Sequence, residues 1–162
     1  MNGLRLERAN DDQVRLSGID WIVSTFLQEV PKLLPQTKSG PAGERLFPKP
    51  SQTDEKLNED WGQFVVPEME KLFASAGEIM AKDIEPLASA NEVTFPFSHC
   101  DAWMCAINQV RLALGAQHNV TENDMDDLAS FDPTDAKQQA LLRIHVLGYV
   151  LEVFVAFLSP ES

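Results

Sequence analysis

The sequence predicts a mainly α fold: about six helices packed as an orthogonal or bundle-like single domain with a small N-terminal β-hairpin. Three observations carry this. Apolar residues recur at i, i+3, i+4 and i+7 over most of the chain, which marks one buried face per helix. Strict apolar/polar alternation is confined to LRLER at 4–8, QVRL at 13–16 and EVTF at 92–95. A chain of 162 residues suits one domain, spanning 1–162, that buries a core without disulfide or metal.

Taken in order, ANDD between the first two alternating pieces is turn chemistry, so residues 1–16 should form the hairpin. Residues 92–95 can add a third extended piece. Ser17-x-x-Asp20 resembles a capping box and should open a helix. Ile19, Ile22, Val23, Phe26, Leu27 and Val30 form its inner face, and Pro31 should end or kink it. Residues 35–53 form a long loop holding Pro35, Gly40, Pro41, Gly43, Pro48 and Pro50. In its middle, Leu46 and Phe47 are candidate plugs that pin the loop to the core; the alternative is a hydrophobic hook for a partner.

Asp54 should cap a short helix through about Phe64, and Pro67 suits the first turn of a longer one. That helix carries an apolar stripe of Met69, Leu72, Phe73, Ala76, Met80, Ile84 and Leu87, and Pro86 marks its end. Ser98-x-x-Asp101 should open a central helix over 98–118. Thr121-x-x-Asp124 should open a short one through about Ser130. Asp132-Pro133 reads as cap and first-turn proline of a C-terminal core or interface helix over 133–158. Trp21, Trp61 and Trp103 are expected to anchor the core.

Two of these helices raise a question. On a wheel of about 100° per residue, the central helix gathers Trp103, Ile107, Val110 and Leu114 on one face and Cys105, Leu112 and Ala116 on another. Between them Asn108, Arg111, Gly115 and His118 form one narrow stripe. The last helix is apolar around most of its girth, with a wedge of His145, Gly148 and Glu152. Each stripe contains a glycine, which permits close approach. An unpaired buried cation is costly, so Arg111 should meet Glu152, or else Asp101, Asp60 or Asp126, with Asn108 bonding nearby backbone. The alternative is a pocket for a small anion lined by Asn108, Arg111 and His118.

The net charge of −12, from 13 basic and 25 acidic residues, argues against nucleic acid and anionic membrane as partners. The opening MNGLRLERAN lacks the apolar run of a signal peptide. The most apolar stretch, 144–158, looks short for a membrane span and contains Glu152. A cytoplasmic location is expected, and Cys100 and Cys105 suit reducing surroundings. No Glu-x-x-His pair, His-x-x-x-His pair, nucleophile elbow, P-loop or dinucleotide fingerprint is present. No metal, cofactor or catalytic residue is therefore expected. A reactive thiol at Cys100 beside His99 is the remaining chemical option.

The segment AWMCAINQVRLALGAQHNVTENDM resembles the central motif of a bacterial domain-of-unknown-function family, number two-zero-one-seven. Trp103, Ala106, Ile107, Asn108, Val110, Arg111, Leu112, Leu114 and Gly115 carry the match. ERLFPKP resembles the family's second element through Arg45, Leu46, Phe47 and Pro48. Gln109 departs from an acidic motif position, and Gln117-His118-Asn119 replaces Arg-Leu-Gly. The resemblance implies no defined activity. It does imply a link to adaptor-dependent regulated proteolysis, in which the chain would be an accessory factor.

The expectation from residues is an uncharacterised, non-catalytic protein-interaction or regulatory domain. Its expected partner is a second copy, as a homodimer, or another protein of unknown identity. The alternative is a small-anion sensor or minor enzyme using the Asn108, Arg111 and His118 stripe.

Overall fold

The computed structural model describes residues 3–34, 40–126 and 132–159. Strands β1 (Arg5–Arg8) and β2 (Gln13–Ser17) form the predicted hairpin. Asn10 closes its turn by accepting from the backbone N–H groups of Asp12 and Gln13. After Gly18, α1 runs from Trp21 to Leu33.

Gly18 has φ +71, and a Cβ there would collide with the Gly3 backbone. Only glycine meets both demands. The N-cap of α1 is Asp20, whose Oδ1 accepts from Val23 N–H at 2.9 Å. The expected Ser17 box is thus replaced by a cap three residues later. Pro31 lies inside α1 and does not end it, since the helix runs on to Leu33.

The segment read as a loop contains a helix, α2 (Gly40–Leu46). Residues 35–39 of that expected loop lie outside the described residues. Next, α3 (Glu55–Asp60) opens on Asp54, whose side chain accepts from Leu57 N–H. A π-helical turn, Trp61–Val65, joins it to α4 (Val66–Asp83) without a break. Val66 N–H bonds Trp61 O, five residues back. Pro67 supplies the reason: its ring would crowd the carbonyl four residues earlier, and a widened turn relieves that clash.

A 3₁₀ turn (Glu85–Ala88) leads to β3 (Val93–Pro96), which pairs antiparallel with β2 to give the order β1-β2-β3. Register places Val14 opposite Phe95 and Leu16 opposite both Val93 and Leu6. All of these face the core, where Val14 and Leu16 are fully buried.

The central helix α5 (Cys100–Gln117) follows a 3₁₀ turn, and no side chain caps it. Ser98 therefore does not play the expected role. Then come α6 (Glu122–Asp126) and α7 (Ala136–Leu158). Thr121 and Asp124 do form the predicted reciprocal box at the start of α6. The expected continuation of α6 to Ser130 lies outside the described residues.

Asp135, not Asp132, caps α7, accepting from Lys137 and Gln138 N–H. Asp132 instead holds Thr134 in a local turn. Among the described residues there are six helices when the α3–α4 run is counted as one, beside one three-stranded antiparallel sheet. The fold is mainly α.

One core unites these layers. Phe95 stacks on Trp103 with centroids 4.4 Å apart, and Trp103 stacks on Phe154 at 5.8 Å, joining β3, α5 and α7. Asp83 Oδ2 accepts from Trp103 Nε1 at 2.9 Å and pairs with His99 Nδ1 at 2.8 Å. A carboxylate only accepts, so His99 Nδ1 carries the proton.

Trp103 is the tryptophan that anchors the core. Trp21 is 77% exposed because it lies opposite the inner stripe Val23, Phe26, Leu27 and Val30 on α1. Leu72, expected on the inner stripe of α4, is also exposed, and that stripe sinks only from Ala76 onward.

By length and composition α7 could cross a membrane, so the expectation that this stretch is too short does not hold. Ile144, Leu147, Val150 and Phe154 are buried in the common core.

Candidate functional site: an arginine-lined cleft

The C-terminal half of α5 projects Arg111, Leu112, Gly115 and Ala116 toward α2 and α7. The helix then stops in a Schellman arrangement. Asn119 takes the left-handed conformation at φ 51, Asn119 N–H bonds Ala116 O, and Val120 N–H bonds Gly115 O at 2.9 Å. This turn directs Asn119, Val120 and Thr121 to one side. Together with Arg45 from the last turn of α2 and Ile144 from α7, these residues line a cleft of about 520 Å³. Gly115 has open space where a Cβ would be. Its role is to leave room.

Arg111 is half-buried, and its environment is specific. Nε donates to Ile144 O at 3.0 Å. Residues 144 and 148 lie one turn apart on the same face of α7, and a Cβ at Gly148 would come within 2.9 Å of an Arg111 Nη. The glycine in the α7 stripe thus admits a guanidinium, which lies across the helix and reaches a backbone carbonyl. With Nε occupied, the described hydrogen bonds leave both Nη groups available.

Burial lowers the Arg111 pKa, and the charge of Glu152 partly offsets that. The expected close pair with Glu152 is not formed: among the described residues Arg111 makes no ion pair, and Glu152 is exposed. Asp60 pairs with Lys56, and Asp101 is exposed. The side chain of Asp126 is outside the described residues. A second cleft, of about 480 Å³, also borders Arg111 and includes Gly148 and Glu152. The guanidinium therefore sits between two openings, and the one it shares with Arg45 is lined by no carboxylate among the described residues.

The remaining stripe residues separate. Asn108 is exposed, and the expected bond from it to nearby backbone is not formed among the described residues. The buried polar side chain is its neighbour Gln109, only 4% exposed. His118 closes α5 through its backbone N–H to Leu114 O and does not line the cleft beside Arg111. His145 is half-buried on α7 and does not line that cleft either.

Of the loop residues, Leu46 is buried, while Phe47 is half-buried against Phe73 with centroids 5.4 Å apart. Cys100 is 2% exposed, and burial pushes its thiol up to about 11, with Asp101 adding to the rise. That rules it out as a poised nucleophile. Among the described residues no group of three His, Cys, Asp or Glu side chains is placed to hold a metal.

Sequence reading missed two residues of consequence. Arg45 is not legible as a partner of Arg111, because their distance in the chain hides their convergence. Arg143 was not singled out, yet it makes the kind of acid pair expected of Arg111, with two bonds. Its Nε donates to Glu29 Oε2 at 2.7 Å and its other arm to Oε1 at 3.1 Å, tying α7 to α1.

Fold and cleft define a mainly α domain whose most distinctive chemistry is a pair of arginines brought together by α2 and α5. The chain belongs to the family DUF2017, a domain of unknown function, whose model matches residues 6–158. No curated protein and no solved structure matches it. The two segments that carry the family resemblance, around Arg45 and around Arg111, are the two that meet at the cleft.

Proposed function

We propose that this domain binds a small anion in the cleft between Arg45 and Arg111, acting as a sensor or regulatory module. The observation that carries this reading is the convergence of two arginines in one opening that, among the described residues, no acidic side chain lines, within a chain of net charge −12. A planar guanidinium can hold a carboxylate or phosphate with two parallel bonds. Arg111 is held by Ile144 O and Gly148 with both Nη groups available, so little order has to be created on binding. Thr121 and Asn119 add polar groups at the rim, while Leu112, Val120 and Ile144 supply an apolar wall. An organic anion with a compact apolar part fits this lining.

Thermal shift with inorganic phosphate, acetate and citrate tests the reading. One of these should raise Tm in a saturable way, and Arg45→Gln should abolish the rise without changing Tm in its absence. Arg45 is exposed at the end of α2, so its loss should not disturb folding. Equal shifts in wild type and Arg45→Gln would reject the site.

A second reading, contact with another copy of the chain, is supported by the outer face of the α3–α4 run. Leu57, Phe64 and Leu72 recur there at seven and eight residues and are 44%, 64% and 61% exposed. Covering such a row with protein is a common reason to have one. Light scattering should then give twice the 18.1 kDa chain mass, and Phe64→Asp should halve it. A single-chain mass at micromolar concentration would end that reading. A cytoplasmic location, and α7 acting as a core helix and not a span, belong to the same picture.

A further inference from the structure

A different cavity, about 380 Å³, lies between the end of α1, α4 and the segment just after α2. Its walls are mainly apolar. Phe47 and Phe73 tilt against each other at 42° on one side. On another, the Leu34 side chain presses over Gly77, where a Cβ would come within 2.6 Å of Leu34 Cδ1. Gly77 and Leu34 both line the space, so the close contact shapes its wall.

Gln109 is the exception to this apolar character. It lines the cavity, is 4% exposed, and uses its Nε2 to donate to Cys105 Sγ at 3.0 Å. Its Oε1 is buried with no hydrogen-bond partner. Native proteins leave few such acceptors, and one at the edge of an apolar cavity is a common sign of a binding pocket. Glu70 and Glu78 also line the space, so an anionic occupant is disfavoured. Among the described residues this cavity and the arginine cleft share no lining residue, and they ask for opposite chemistry.

We propose that this cavity binds a small, flat or branched apolar molecule, uncharged or cationic, through one N–H donated to Gln109 Oε1. The hydrocarbon body would lie against Phe47, Phe73 and Leu34. Such a ligand satisfies the buried Gln109 oxygen that folding leaves without a partner. An acceptor-only or anionic molecule would leave it so.

Indole is a suitable probe because it is apolar and carries one N–H donor and no strong acceptor; indene has nearly the same shape without the donor. Titration of the ¹⁵N-labelled full chain should move the Gln109 side-chain amide saturably with indole. Indole should bind about ten-fold more tightly than indene, the order expected for one hydrogen bond to a buried acceptor. Gln109→Leu should erase that preference, and Arg45→Gln should leave it intact, which separates this cavity from the anion cleft. The indole-to-indene ratio in the wild-type chain needs no variant, so misfolding of Gln109→Leu would not protect the proposal. Absence of a saturable shift, equal affinities for indole and indene, or a preference that survives in folded Gln109→Leu would each overturn it.

Discussion

At the scale of single residues, burial decides chemistry more than residue type does. Cys100 and His99 are neighbours in the chain, which on paper suggests an activated thiol. The fold sends them to different tasks: His99 pairs with Asp83 at the surface of the core, and Cys100 is packed within it. Because its pKa rises from 9.0 to about 11, the folded chain keeps a proton that the unfolded chain releases over that interval. The folded state then binds more protons, so stability falls as pH rises from 9 to 11. Urea unfolding should show a loss of about 2–3 kcal/mol across this window beyond that of Cys100→Ala, the equivalent of two pKa units. A parallel pH profile in the two proteins would show that another group is responsible. Gln109 makes the same point from the other direction: one position away from the exposed Asn108, an amide of the same type is buried with an unbonded oxygen.

At the scale of elements, the helices are held by polar links other than the one the sequence suggests. The clamp between α1 and α7 is Arg143 on Glu29, each side chain about a quarter exposed. The Arg143 guanidinium also stacks over the Phe26 ring at 4.9 Å. Two parallel bonds in a half-shielded place should be worth more than an exposed pair such as Lys71–Glu68. A double-mutant cycle with Glu29→Gln and Arg143→Met should give a coupling of about 1–2 kcal/mol. A coupling indistinguishable from zero would mean that the ring contact alone positions Arg143. The helix starts illustrate a related point. Asp20, Asp54 and Asp135 cap their helices, and Thr121–Asp124 forms the reciprocal box. The motif S/T-x-x-D alone misplaces two of the starts, because an Asp at its fourth position can itself be the cap or lie inside the helix.

On the scale of the whole molecule, the aromatic stack of Phe95, Trp103 and Phe154 makes sheet and helices one cooperative body. Phe154→Ala should cost about 3–5 kcal/mol in urea unfolding, the range for a fully buried aromatic. One transition should remain when monitored by tryptophan fluorescence and by helical circular dichroism. Two separated transitions would show that the sheet and α7 unfold independently. The acidic charge acts at this scale too. It keeps the surface repulsive to polyanions, so the two arginines gathered in one cleft stand out against the net field.

Periodicity was sufficient to predict the fold class, the hairpin, the third strand and most helices, because the 3.6- and 2-residue repeats are local consequences of having one buried face. Proline and glycine content hid α2, since Gly40 and Pro41 sit at its first turn, where neither breaks a helix. Which polar residue on α5 would be buried, and what Arg111 would meet, could not be read in this way. Those outcomes depend on how α5 is turned about its own axis against α2 and α7, and a rotation of about 100° exchanges Asn108 for Gln109. The repeat of apolar residues along the chain determined the elements and their inner faces. Tertiary packing alone decided that Arg45 and Arg111 share a cleft, because side-chain partners far apart in sequence are chosen by long-range contacts that no local pattern encodes.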